Sequence, residues 1–263
     1  MPLPWNWKFG IHYIYPPFFT QQLGIFSPSP VPPELVLAFL QKVPGRFRLV
    51  EIQLNSANPV TAILVNPEEK WKIVYRRNFT LDLSLPYGQI SMGYHNRIKK
   101  NTLRAENSGL TLVRGIPPEE VVRLFQWKLE GSTPLRPRHY KRFLELASFA
   151  LTQGTGKTYG VQDPGGKLLS GAFFLFCRAK AHYLIAGNDP QARSSGASQL
   201  LLDRFIQEHA GSNLKLDFTG SDIPGIAFFN EGFGGREEHY PFLTRNTLPW
   251  PLRLLKKNKI RKG

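Results

Sequence analysis

Between Ala181 and Phe218 the chain sets a run of very small residues between two apolar segments, and that run has the chemistry of an anion cradle. Ala181-His182-Tyr183-Leu184-Ile185-Ala186 reads as a strand. Arg193-Ser194-Ser195-Gly196-Ala197-Ser198 follows, and the spacing of Leu200, Leu201, Leu202, Phe205 and Ile206 predicts a helix opening at that turn. A helix N-terminus presents unpaired N–H groups and the positive end of its dipole, and side chains this small let a phosphate reach the backbone. A pyrophosphate would suit it. The same residues also make an ordinary helix N-cap. A second stretch, Gly154-Thr155-Gly156-Lys157-Thr158, ends like a phosphate-binding loop. The first glycine of that loop would fall at Leu151, however, and the preceding residues read as a helix where the motif needs a strand. Gly154 and Gly156 are expected to end that helix and open a hairpin.

These turns need elements to hold them. In the first part of the chain, strand-like aromatic runs at 9–15 and 72–75 alternate with proline-rich breaks, and a helix is expected at 34–41. Residues 46–54 and 60–65 read as strands joined by a turn at 55–59. Residues 92–108 carry a helical pattern ended by Gly109, and Pro117 and Pro118 open another helix reaching Leu129. A linker is expected at 130–137, a helix at 138–152, strands at 158–162 and 167–178, and strands again at 181–186 and 214–218. The result is a mixed α/β chain.

With 263 residues, 41% hydrophobic and 13% aromatic, the chain can build a substantial core, which excludes a disordered basic tail. Its one cysteine, Cys177, lies in an apolar run and is expected to fill core; it cannot form an intramolecular disulfide and argues against a structural zinc site. The six histidines show no ligand spacing, so no metal is expected. No run of about 18 apolar residues occurs, and Met1 to Lys8 lacks a signal-like apolar core; both imply a cytoplasmic protein. The net charge of +15 implies an anionic partner, be it a nucleotide, tRNA, a phosphorylated precursor or a membrane surface.

Arg193-x-x-Gly196-x-Ser198 resembles the acyl-CoA-binding turn of the GNAT N-acyltransferases. More specific are Leu216-Asp217-Phe218-Thr219-Gly220-Ser221, Ile223-Pro224-Gly225-Ile226 and Phe228-Phe229-Asn230-Glu231-Gly232-Phe233-Gly234-Gly235, which resemble the Fem-like branch of that superfamily. Upstream, Asn78 to Leu83 and Arg97 to Leu110 match it too. The resemblance implies two GNAT-like halves, each a mixed twisted sheet flanked by helices: 1–115, shortened at its N-terminus, and 116–263, carrying the donor cleft. A shortened half would leave a sheet edge and apolar surface that a homodimer could cover. The strands at 181–186 and 214–218 are then expected to splay into a V, where a donor hydrogen-bonds like an added strand.

The implied activity is transfer of an acyl or aminoacyl group, from acyl-CoA or aminoacyl-tRNA, to a primary amine such as one on a peptidoglycan precursor. Asn188, Arg193, Ser194, Ser195, Gly196, Ala197 and Ser198 are the expected donor-binding residues. Asp189 and Asp217 are candidate proton acceptors, Asp217 with the alternative of capping the turn after its strand, and Tyr240 offers a hydroxyl. Many GNAT enzymes place a tyrosine where this chain has Phe228, which also leaves open a non-catalytic tRNA- or anion-binding module. Basic clusters at Arg97, Lys99, Lys100 and Arg104, and from Arg253 to Lys262, read as solvated faces or as contacts to tRNA phosphates.

Overall fold

A computed structural model describes residues 1–60, 71–129, 135–192, 194–220 and 222–257. Along the chain the elements are β1 (Trp5–Lys8), β2 (Ile11–Ile14), α1 (Pro33–Gln41), β3 (Phe47–Gln53), β4 (Trp71–Asp82), α2 (Tyr87–Met92), α3 (Asn96–Asn107), β5 (Thr111–Arg114), α4 (Pro118–Leu129) and α5 (Pro137–Thr152). Then come β6 (Gly156–Gln162), β7 (Leu168–Cys177), β8 (Lys180–Asn188), α6 (Ala197–His209), β9 (Lys215–Asp217), α7 (Pro224–Gly232), β10 (Arg236–Asn246) and α8 (Trp250–Lys257). They form a mixed α/β protein of two compact units. One comprises Met1–Asn78, Gly220–Ile223 and Glu238–Gly263; the other comprises Phe79–Thr219 and Pro224–Glu237. The expected division at 115/116 runs inside the second unit, between β5 and α4. Two of the four crossings between the units fall within β4 and within β10, where strand periodicity continues unbroken and no linker composition marks a boundary; the other two bracket Gly220–Ile223.

In the first unit β1 and β2 form a hairpin, β2 lies parallel to β3, and β3 pairs antiparallel with β10. Val50, Ile52 and Leu54 alternate inward along and just past β3, as a half-buried strand requires, and share a core with Phe47 and with Val36 and Leu40 of α1. Pro33 at the first turn of α1 supplies a backbone already set for a helix start. The expected single run at 9–15 is therefore a hairpin that begins earlier. The expected strand at 60–65 falls largely outside the described residues.

The second unit carries antiparallel β5, β6, β7 and β8, then β9 parallel to β8 and antiparallel to the end of β4. α4 lies on β8 so closely that a Cβ at Gly187 would sit 2.2 Å from the Leu124 carbonyl carbon. On α6, Leu200, Leu201, Leu202, Phe205 and Ile206 are all buried. Phe205 stacks on Phe174 with centroids 3.7 Å apart, and Tyr159 meets both edge-on, pairs worth about 1 kcal/mol each beyond their area. The helix expected at 92–108 is α3, which starts four residues later at Asn96; α2, just before it, is not among the expected elements. α5 ends at Thr152 and β6 starts at Gly156, an order opposite to that of a phosphate-binding loop. Cys177 corrects the core-filler expectation: it ends β7 and is exposed, because the apolar run outlasts the covered part of the strand.

Candidate active site

β8 and β9 pair over three residues only, Lys180↔Lys215, Ala181↔Leu216 and His182↔Asp217. β8 then runs on to Asn188, six residues past the last pair, while the chain after β9 turns aside at Thr219, whose φ of +52° is rare for a β-branched residue. The two strands part as a V. Two bonds hold the fork: Asp217 Oδ1 accepts the Thr219 N–H at 2.9 Å, and the Thr219 hydroxyl donates to the Tyr183 carbonyl at 2.6 Å. Beyond that point the β9-facing edge of β8 has no strand partner among the described residues. Such an edge offers backbone groups to an extended ligand.

The far end of β8 leads through a short turn at Pro190–Ala192 into α6. Gly196 is the N-cap, with φ +83°; a Cβ there would stand 2.2 Å from the Asn101 carbonyl oxygen of α3. Glycine alone permits both the left-handed backbone and the approach of α3. The amides are shared unevenly. Ser195 N–H donates to the Ala192 carbonyl at 3.0 Å, and Ala197 N–H donates to Ser195 Oγ at 3.1 Å. These two corrections to the expected cradle arise because Ser195 caps its own turn, its hydroxyl also donating to Ala192 at 2.7 Å. The amides of Gly196, Ser198 and Gln199 meet no acceptor among the described residues. Ser198 Oγ donates to Asn188 Oδ1 at 2.6 Å, tying the first turn of α6 to the end of β8. Ser194 is exposed on the same turn, and Arg193 lies outside the described residues.

The candidate proton acceptors are both buried. Asp189, 4% exposed, pairs through Oδ2 with Lys167 Nζ at 2.9 Å, and its amide donates to the Leu169 carbonyl, so the residue pins the end of β8 to β7. Asp217, 3% exposed, sits at the fork with His182 Nδ1 3.6 Å away. Burial holds the His182 imidazole below its ordinary pKa despite the pull of Asp217, so the ring is neutral near pH 7. Tyr240 is buried in β10, in the part that belongs to the first unit. Phe228 is half exposed on α7, its ring 6.0 Å from His95 and under the Arg97 guanidinium.

A cleft of about 300 Å³ between α2, α3 and α6 escapes the sequence reading. Tyr87 Oη donates to Asp203 Oδ1 at 2.8 Å, and Arg204 pairs with both Asp203 and Glu106. Burial pushes the Asp203 carboxyl above its usual range. Thr102 Oγ1 lines the cleft, buried and without a hydrogen-bond partner among the described residues, and the buried Tyr94 Oη faces the Asp203 carboxyl. The one available signal was a charge, Asp203, directly after three leucines of an apolar helix face.

The family model described as an acetyltransferase (GNAT) domain matches residues 93–224, half of the chain. Among solved structures, FemX superposes with a TM-score of 0.64 at 13% identity, covering 94% of this chain and 84% of that one. L-PGS from Bacillus licheniformis gives 0.51 at 13% identity, with 88% and 77% covered. A GCN5-related N-acetyltransferase from Kribbella flavida gives 0.50 at 12% identity, with 95% and 92% covered. No curated protein sequence matches the chain significantly.

Proposed function

Because the chain belongs to the acetyltransferase (GNAT) family and shares its fold with FemX, we propose that it transfers an acyl or aminoacyl group to a primary amine across the V between β8 and β9. The observation that carries this reading is the edge of β8, without a strand partner among the described residues, leading directly to the α6 amides that meet no acceptor among them. Acyl-CoA fits this arrangement: its amide-bearing arm suits the open edge, and its phosphates suit the Gly196, Ser198 and Gln199 amides. An aminoacyl-tRNA end would present the same acyl carbonyl. In either case the amine nitrogen bonds to the acyl carbon, the carbon–sulfur or carbon–oxygen bond breaks, and the nitrogen sheds one proton.

The chain's own contribution is position and polarity. A donor held along β8 has its carbonyl fixed for the incoming amine, and backbone N–H groups stabilise the oxyanion as it forms. Ser198 and Asn188 keep the two walls of the donor turn together. Asp189, already paired with Lys167, serves this reading as a positioning residue for the same turn, with the amine's proton passing to water. A peptidoglycan precursor, a peptide or a small amine would each supply the nucleophile.

The test is a transfer assay with labelled acetyl-CoA and, separately, labelled aminoacyl-tRNA against these three amine classes. Turnover that falls in Gly196→Ala supports the transferase; failure of every donor to bind overturns it. A second reading, a module that binds donor or anion without turnover, is favoured by Phe228, which offers no hydroxyl to a leaving group. Donor binding without product would select it. Asp189→Asn separates the roles: a positioning residue raises the donor KM, whereas a general base costs kcat and removes the acid limb of the pH profile.

A further inference from the structure

The first unit gathers exposed aromatic rings and cations at one end of its sheet. The register places them there: Lys8 pairs with Ile11, His12 lies opposite Phe47, and the Thr247 amide donates to the Arg48 carbonyl. The tip of the β1–β2 hairpin, the start of β3 and the approach to α8 therefore share that end. Phe9 at the tip is 86% exposed, Trp5 and Trp7 on β1 are 55% and 59% exposed, and Trp250 opening α8 is 73% exposed. Lys8 stands 5.0 Å from the Phe9 ring and Arg46 5.2 Å from the Phe47 ring. The α8 sequence, Trp-Pro-Leu-Arg-Leu-Leu-Lys-Lys, has amphipathic spacing, and Arg253 is exposed. No helix among the described residues is long and apolar enough to cross a membrane.

We propose that this end of the first unit docks on a membrane surface rich in anionic lipid. The hairpin turn is the sharpest argument. Phe9 and Gly10 both have positive φ, +50° and +74°, the pattern of a type I′ turn, which favours Asn-Gly or Asp-Gly. A phenylalanine there pays in backbone strain for a ring that packs on little of the protein. An apolar ring at a projecting tip, flanked by tryptophans and lysine, matches the depth order of a bilayer interface: ring inward, indoles at the headgroups, ammonium groups against lipid phosphate. The charge of +15 complements an anionic leaflet. Single-stranded nucleic acid would need open, flat ring faces, yet Trp5 meets Phe47 edge-on and is tilted against His12.

The full chain is mixed with vesicles of phosphatidylcholine alone and of phosphatidylcholine with phosphatidylglycerol, and pelleted with them at rising salt. Expected are binding to the anionic vesicles, its loss with salt, and a fall of about tenfold or more in Phe9→Asn or Trp250→Ser, the worth of one buried ring. Phe9→Asn discriminates further, because relief of the turn should raise Tm while docking falls. Lys8→Glu with Arg46→Glu is a second, charge-based variant expected to weaken binding. Equal partition to neutral vesicles, no partition, or partition untouched by these substitutions overturns the proposal. So does preferential capture of single-stranded RNA through the same residues, or a dimer in solution that Phe9→Asn and Trp250→Ser convert to monomer.

Discussion

At the scale of single residues, the chemistry of the second unit is set by groups with no room to change. Gly196→Ala forces a side chain into left-handed backbone and against the Asn101 carbonyl; the expected cost is on the order of 2 kcal/mol in thermal melts, with donor affinity falling as the turn shifts. Thr102→Val should do the opposite. It removes a buried hydroxyl that has no partner among the described residues while keeping its shape, and is expected to stabilise by about 1 kcal/mol; a loss of stability would show that the hydroxyl is bonded in solution. His209 predicts a pH response. Its Nδ1 is 2.9 Å from the Phe205 carbonyl, which only an N–H can donate to, and its Nε2 is 3.4 Å from Lys157 Nζ, which needs an acceptor. Only the Lys157 contact demands the neutral ring, since a protonated ring also carries the Nδ1–H; burial first, then Lys157, lowers its pKa from 6.5 against the opposing pull of the Phe205 carbonyl. A group whose folded pKa is depressed binds its proton more readily when unfolded. Its contribution is therefore complete above about pH 6.5 and lost as pH falls through the lower folded value. Urea midpoints measured across that window should drop in the parent chain and drop less in His209→Gln.

At the scale of elements, the V depends on how two strands are forced apart. Three residues of β9 pair with β8, and the Thr219 turn ends the ladder while α4 holds β8 from one face. Gly187 is the contact that lets α4 lie this close. Gly187→Val would drive Cβ into the Leu124 and Phe125 backbone, which cannot rotate away as a side chain tip can; we expect a loss on the order of 3 kcal/mol in chemical denaturation and a matching loss of donor binding. Much of this level was legible beforehand. Pro33, Pro118 and Pro137 each open a helix near the residue expected, and the apolar runs of β6 to β8 stand where alternation and turn glycines put them. The misses are short elements. The run at 9–15 is locally consistent with one element, and only the non-local pairing of β2 onto β3 sets where its strand lies; α2 is a short helix with no apolar period of its own to announce it.

At the scale of the whole molecule, the charge of +15 predicts that encounter with any anionic donor is assisted electrostatically and screened by salt. The Debye length falls from about 10 Å at 0.1 M to about 3 Å at 1 M, so donor KM should rise across that range while kcat changes little. Composition, helix starts, the small-residue turn at Gly196 and the family likeness were written in residue types and short spacings, because they rest on local backbone preference and periodicity. Tertiary structure decided the rest: a unit boundary inside two strands, amides of Ser195 and Ala197 already occupied, Asp189 tied to Lys167, and an exposed Cys177. Those outcomes turn on which groups from distant parts of the chain arrive at hydrogen-bonding distance and which stay exposed to solvent. Proximity of that kind has no period along a sequence, so it exists only once the chain has packed.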